Sequence, residues 1–231
     1  MPRHGSLTRV TIVEDHALFA EALELAITLQ GHVVHRVDTA AEGLSQNRLL
    51  TEVLVSRPTV VLLDLQLGSS FHGMPLIRPL SQVGIAVVVV TGSVDRFGWG
   101  EALFNGARTV LPKSAPLNTI LSTIRLIQEG RRVLPRDERD RLVADFHRYR
   151  AQEQDGRERL ATLTAREREI LAEMMEGRQV REIAQAFVVS EATVRTQVKS
   201  ILSKLGVSSQ LAAVGLALRG RRDAPPVRRR G

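Results

Sequence analysis

The sequence predicts two domains: an α/β domain on a doubly wound, five-stranded parallel sheet, then a small all-α domain of four helices containing a helix-turn-helix. Three observations predict it. Apolar, β-branched runs recur through the first half, at Val10–Val13, Val33–Val37, Thr59–Leu63, Ile85–Val90 and Thr109–Leu111, with starts 23, 26, 26 and 24 residues apart. Short helical stripes with strong cap signals fill residues 162–218. Charge divides the chain the same way: residues 1–128 carry ten basic and ten acidic groups, so the whole net charge of +7 lies beyond them. A neutral half followed by a basic half suggests that the second half faces a polyanion, and nucleic acid is the favoured one.

Taken in order, the five runs read as strands covered on both faces, because they lack polar alternation. The stretches between them read as helices. Leu18, Ala22, Leu25 and Leu29 follow i, i+4, i+7, i+11 and predict an amphipathic helix after the first strand. Alternating strands and helices give a parallel sheet with right-handed crossovers, whose ligands bind beyond the carboxyl ends of the strands. A last helix is expected from about Pro116 to Glu129, which sets this domain at residues 7–129. Residues 130–161 read as a charged linker: Leu142, Val143, Phe146 and Tyr149 make a short helical stripe, and Arg150–Arg157 reads as flexible spacer.

In the second domain, residues 162–219, Thr164-Ala-Arg-Glu167 is a capping box that opens the first helix, with Ile170, Leu171, Met174 and Met175 as its core positions. Gly177 stands where a helix-ending glycine belongs. Val180, Ile183, Ala184 and Phe187 stripe a second helix, and Ser190 caps a third with Val194, Val198, Ile201, Leu202 and Leu205 inside. Gly206 ends it, before a fourth helix with Leu211, Val214 and Leu218. Two helices joined by a tight turn make a helix-turn-helix. Residues 220–231 read as a basic, disordered tail. There is no cysteine, which excludes disulfides and thiolate chemistry, and the longest apolar run, Ile85–Val90, is far short of the ~20 residues of a membrane span. The expectation is a soluble, cytoplasmic protein with no membrane partner.

Chemistry concentrates at the strand ends. Glu14 and Asp15 follow the first strand, Asp64 the third, Thr91 ends the fourth and Lys113 follows the fifth. One edge of the sheet would gather three carboxylates, a hydroxyl and an ammonium. Clustered carboxylates repel unless a cation lies among them, and oxygen ligation favours Mg²⁺. With that charge in place Asp64 is a plausible nucleophile toward phosphorus, Thr91 can donate to a phosphoryl oxygen and Lys113 can pair with another. Lys113 is one of only three lysines among 29 arginines, which tilts it toward a chemical role.

These motifs, Val13-Glu14-Asp15-His16, Leu63-Asp64, Val90-Thr91-Gly92 and Pro112-Lys113-Ser114, resemble the flavodoxin-like receiver domain of bacterial two-component response regulators. Leu163-Thr-Ala-Arg-Glu-Arg-Glu-Ile-Leu171, Glu182-Ile-Ala184 and Ser190-Glu-Ala-Thr-Val-Arg-Thr-Gln197 resemble the LuxR-type helix-turn-helix, and their order matches the NarL/FixJ type. The resemblance implies phosphorylation of Asp64 by a sensor histidine kinase, with Glu14, Asp15, Asp64 and the Gln66 backbone carbonyl around Mg²⁺. It also implies promoter DNA, a homodimer when active and RNA polymerase as further partners. Three positions depart from the family pattern. The loop Gln66-Leu-Gly-Ser-Ser-Phe-His-Gly73 is a residue longer and lacks the usual Met-Pro near its start, Val110 replaces an aromatic switch, and Glu14 replaces the commoner Asp.

On the third helix of the second domain, Thr193, Arg195, Thr196, Lys199 and Ser203 lie opposite the apolar stripe, as a recognition helix for the major groove requires. By resemblance Arg195, Thr196 and Lys199 approach base edges, and Ser190 and Thr193 sit near phosphates. The absence of a Phe/Tyr ladder argues against a single-strand or RNA binder. Two other readings stand beside the phosphorylated regulator. One is a DNA-binding regulator whose atypical receiver answers a ligand or protein partner. The other is a haloacid-dehalogenase-like phosphatase, which wants a second acid two residues after its nucleophile, where this chain has Gln66. The expectation is that the protein is not an enzyme.

Overall fold

The computed structural model describes residues 7–39, 45–68 and 71–222. The chain divides into two compact units, with the division between His147 and Arg148. In the first unit β1 (Arg9–Val13), α1 (Ala17–Leu29), β2 (Val33–Arg36), α2 (Gln46–Val55) and β3 (Val60–Leu63) are followed by a two-stranded hairpin, β4 (Gln66–Leu67) and β5 (Phe71–His72). Then come α3 (Met74–Gln82), β6 (Ala86–Thr91), α4 (Arg96–Phe104), β7 (Thr109–Pro112), α5 (Leu117–Gln128) and α6 (Arg136–Ala161), the last running past the division.

Five parallel strands lie in the order β2-β1-β3-β6-β7, the doubly wound arrangement expected. Two apolar layers cover the sheet. Val13, Val61, Leu63, Val87 and Val89 pack with α2, α3 and α4 on one side. Val10, Ile12, Leu62, Val88 and Val90 pack with α1 and α5 on the other. This alternation explains why the central strands read as continuous Val/Leu runs. The edge strand β2 departs from the expectation of cover on both faces: Val33, His35 and Arg36 are exposed, because its outer side has no neighbouring strand.

Three further expectations need correction. In α1 the core face is Ala20, Leu23 and Ile27, while Leu18, Leu25 and Leu29 are 84%, 64% and 77% exposed. The helix is apolar nearly all round, with only Glu21, Glu24 and Thr28 polar, so spacing alone could not choose its buried face. The spacer expected at Arg150–Arg157 is helical throughout α6. Its Arg, Glu and Gln are good helix formers, and i,i+4 pairs Arg141–Asp137, Arg157–Glu153 and Arg159–Asp155 reinforce it. Of the tail expected over residues 220–231, residues 220–222 continue a helix, and residues 223–231 lie outside those described.

The second unit holds the four expected helices, α7 (Ala165–Met175), α8 (Val180–Ala186), α9 (Glu191–Leu205) and α10 (Gln210–Arg222). Thr164 and Glu167 form the capping box, with Glu167 N donating to Thr164 Oγ1 and Thr164 N donating to Glu167 Oε2. Gly206 ends α9 in the left-handed conformation. Ile170, Leu171, Met174, Ile183, Val194, Val198, Ile201 and Leu205 make the core. From α10 it is Ala213 and Ala217 that are buried, whereas Leu211 and Leu218 are exposed.

Candidate functional site

The site lies where the strand order reverses, at the carboxyl ends of β1 and β3 and beside β6 and β7, the crevice in which open α/β sheets bind ligands. Asp64 follows Leu63 directly, and its backbone N–H donates to Val13 O, which locks the end of β3 to the end of β1. Its carboxylate is buried at 2% exposure, and Glu14 is buried at 6%. Lys113 Nζ joins them, donating to Glu14 Oε1 at 2.7 Å and to Asp64 Oδ2 at 2.8 Å. Gln66 N donates to the other Asp64 oxygen at 3.1 Å. Lys113 is placed by its own backbone N–H, which donates to Thr91 O at the end of β6.

Burial by itself would lower the Lys113 pKa, but its hydrogen bonds and charge contacts with Asp64 and Glu14 outweigh that and hold it above the ordinary lysine value. Asp15 behaves in mirror image. Burial would raise its carboxyl, but the Gly68 N–H at 2.8 Å and the neighbouring His16 hold it below the ordinary value. One ammonium is thus shared between two buried carboxylates, with a third carboxylate at the rim.

Sequence reasoning gave His16 no role. Its Nδ1 lies 2.9 Å from Glu14 Oε1 and 3.0 Å from both Asp15 Oδ1 and Lys113 Nζ. The signal was its place directly after two acids at a strand end. Donor atoms of Glu14, Asp15, His16 and Asp64 all lie within 4.8 Å of one another. Hard carboxylate oxygens predominate, the donor chemistry of Mg²⁺, so these residues fit such an ion. Thr91 is fully buried and its Oγ1 accepts from Ser93 N, so the hydroxyl hydrogen stays available to an incoming oxygen. After Asp64, Gln66–Leu67 and Phe71–His72 pair as the antiparallel strands β4 and β5, and Gly73 follows, its N–H donating to Leu65 O. A Cβ there would collide with the Asp64 carbonyl oxygen, so only glycine fits against the phosphoacceptor candidate. Val110, where an aromatic switch would stand, is buried in the apolar layer.

In the second unit all five expected interface residues, Ser190, Thr193, Arg195, Thr196 and Lys199, are exposed on or at the start of α9. Ser190 Oγ accepts from Thr193 N and caps the helix, and its hydroxyl meets that of Thr193 at 2.9 Å. Thr196 Oγ1 donates to Ala192 O, and Arg195 is tethered to Glu191 at 2.9 Å. The α8–α9 turn passes through Val188, which is exposed with a positive φ of 54°. Behind this face Glu167 does a second job that the capping box did not announce. Its carboxylate accepts from Lys204 Nζ and Ser200 Oγ of α9, each at 2.7 Å. The hydrogen bond from Lys204, with those from the Thr164 backbone and Ser200, brings its pKa down to about 2.

Both halves of the chain match known protein families. Residues 10–125 match the model of the response regulator receiver domain, and residues 161–217 match that of the luxR family of bacterial regulatory proteins. The chain is 26% identical over 219 residues to the transcriptional regulatory protein LnrK of Bacillus subtilis, covering 92% of this chain and 97% of that one. It is 28% identical over 214 residues to the probable transcriptional regulatory protein NarL of Mycobacterium tuberculosis, covering 92% and 94%. The solved structure of the response regulator ChrA, from a heme-sensing two-component system, aligns over 93% of this chain and 98% of that one at 26% identity with a TM-score of 0.45. With a receiver domain at the carboxylate cluster and a LuxR-type helix-turn-helix behind α9, the chain belongs to the response regulators of two-component systems.

Proposed function

We propose that this protein is a phosphorylation-controlled transcription regulator of the cytoplasm, which accepts a phosphoryl group on Asp64 from a sensor histidine kinase and binds promoter DNA as a homodimer. The observation that carries the reading is the buried Asp64 carboxylate at the end of β3, with one oxygen held by Lys113 and the other by Gln66 N–H. Both oxygens are oriented, and the charge that builds on phosphorylation has a cation beside it. Glu14, Asp15, Asp64 and the Gln66 carbonyl would hold Mg²⁺, which supplies the positive charge that brings a phosphoryl group up to three carboxylates.

In the reaction an Asp64 oxygen bonds to phosphorus while the bond from phosphorus to the donor imidazole nitrogen breaks, and that nitrogen keeps the electron pair and is protonated from solvent. Lys113 then pairs with one phosphoryl oxygen and the Thr91 hydroxyl donates to another. The DNA-binding half of the reading rests on an exposed, capped helix carrying Arg195 and Lys199 on one face. Intact mass after incubation with a phosphoramidate and Mg²⁺ tests the first half. Wild type should gain one phosphoryl group and Asp64→Asn none. A wild type that gains nothing transfers support to a receiver that answers a ligand or protein partner.

A further inference from the structure

Val110 cannot serve as an aromatic switch, yet the loop after Thr91 is wired to a different element. Thr91 Oγ1 accepts from Ser93 N at 3.1 Å, and the Ser93 carbonyl accepts from the Trp99 indole N–H at 2.9 Å. Ser93 Oγ in turn accepts from Asp95 N, and the Asp95 carboxylate caps α4 through Phe97 N and Gly98 N. The segment between the Thr91 hydroxyl and α4 is therefore bonded at successive points rather than slack.

From α4 the contacts continue into residues 136–147 of α6. A Cβ on Gly100 would collide with the Leu142 carbonyl oxygen and lie 2.8 Å from Phe146 Cβ, so backbone meets backbone at this crossing. One turn further along α4, the Phe104 ring lies 5.5 Å from that of Phe146 and 4.9 Å from His147. Arg139 of α6 donates to Leu103 O in the last turn of α4, which also accepts from Gly106 N, and to Ala107 O just beyond the helix, at 2.7 and 2.9 Å. Trp99, Leu142 and Val143 belong to one apolar layer. A helix held at three places by another cannot shift by a fraction of an ångström alone, because packed interfaces change between discrete arrangements.

We propose that Trp99 and Gly100 make α4 the output element of this receiver, so that capture of a phosphoryl oxygen by Thr91 pulls the Ser93–Trp99 connection and releases residues 136–147 of α6 from α4. The proposal rests on Asp64 being the phosphoacceptor and names how that site is read out. Trp99 and Gly100 are positioning residues, since neither touches the reacting atoms. The two glycines in Phe97-Gly-Trp-Gly100 suit the role: each weakens a helix relative to alanine, and Gly100 alone permits the close crossing.

Hydrogen–deuterium exchange of the full chain, run beside intact mass on the same samples, tests it. In wild type carrying one phosphoryl group, exchange across residues 136–147 should rise several-fold, and emission from Trp99, the only tryptophan, should change. Trp99→Phe keeps an aromatic ring, a smaller one, and loses the indole donor: it should be phosphorylated as fully as wild type but show no rise over 136–147. Gly100→Ala should exchange rapidly there without any phosphodonor. No mass gain in wild type overturns the Asp64 reading on which the proposal stands. A full mass gain with flat exchange over 136–147, or a Trp99→Phe chain that responds as wild type does, overturns the relay and leaves Asp64 in place.

Discussion

The carboxylate cluster draws Glu14 and Lys113 together from positions 99 residues apart, whereas Ser190, Thr193, Arg195, Thr196 and Lys199 sit on successive turns of a single helix. The first site exists only when the sheet has closed, and its members compensate one another's charge. The second exists wherever α9 is helical, and its members are nearly independent. Substitutions in the cluster should therefore act strongly and non-additively, and those on the helix face moderately and nearly additively.

The largest expected effect comes from removing the shared cation. Lys113→Ala leaves Glu14 and Asp64 buried and facing each other, which should destabilise the receiver by about 3 kcal/mol, with part of the loss recovered on adding Mg²⁺. Urea unfolding followed by Trp99 emission measures it. A second substitution, Glu14→Gln, should restore stability to the Lys113→Ala chain, the non-additive result that separates a charge-coupled cluster from a set of independent contacts.

On the helix face Arg195→Ala and Lys199→Ala should each cost roughly 1–3 kcal/mol on a specific duplex and relax base preference. Together they should cost close to the total of the two, measured by fluorescence anisotropy. Equal weakening on specific and random duplexes would make them phosphate contacts instead.

Beneath that face the Glu167–Lys204 pair supplies a smaller, pH-dependent effect. The folded carboxyl titrates at about 2, below the ordinary value of 4.5, so its contribution is present above 4.5 and is lost as pH falls toward 2. The Met174 and Met175 methyl signals in the full chain should report this as acid destabilisation of the second unit. Glu167→Gln should be less stable at pH 7 by about 1–3 kcal/mol and flatter across the acid window.

The same contrast explains what the sequence could and could not disclose. Acids after apolar runs are local patterns, so Glu14, Asp15 and Asp64 were legible together with the strands that carry them. The caps at Thr164 and Ser190 were legible for the same reason, since a helix start involves only neighbouring residues. What stayed hidden depends on partners distant in the chain. Nothing near Glu167 marks Lys204, 37 residues later, as its partner. In α1, two apolar faces compete, and only the sheet decides that Leu23 and Ile27 go inside while Leu18 and Leu25 stay out. Arg150–Arg157 lacks an apolar stripe, so its helicity, supported by charge pairs along one face, looked like spacer. The Trp99–Ser93 bond spans six residues but needs a loop geometry that no residue type announces.

In the proposed regulator the state of Asp64 sets the affinity of the second unit for DNA. A duplex selected from a random pool by the phosphorylated chain, titrated in fluorescence anisotropy with phosphorylation verified by mass, tests it directly. Wild type should bind roughly tenfold or more tightly once Asp64 carries its phosphoryl group, a coupling of about 1–3 kcal/mol, and Asp64→Asn should bind equally with and without the donor. Identical affinities for the fully phosphorylated and unphosphorylated wild type would mean that Asp64 does not control the second unit.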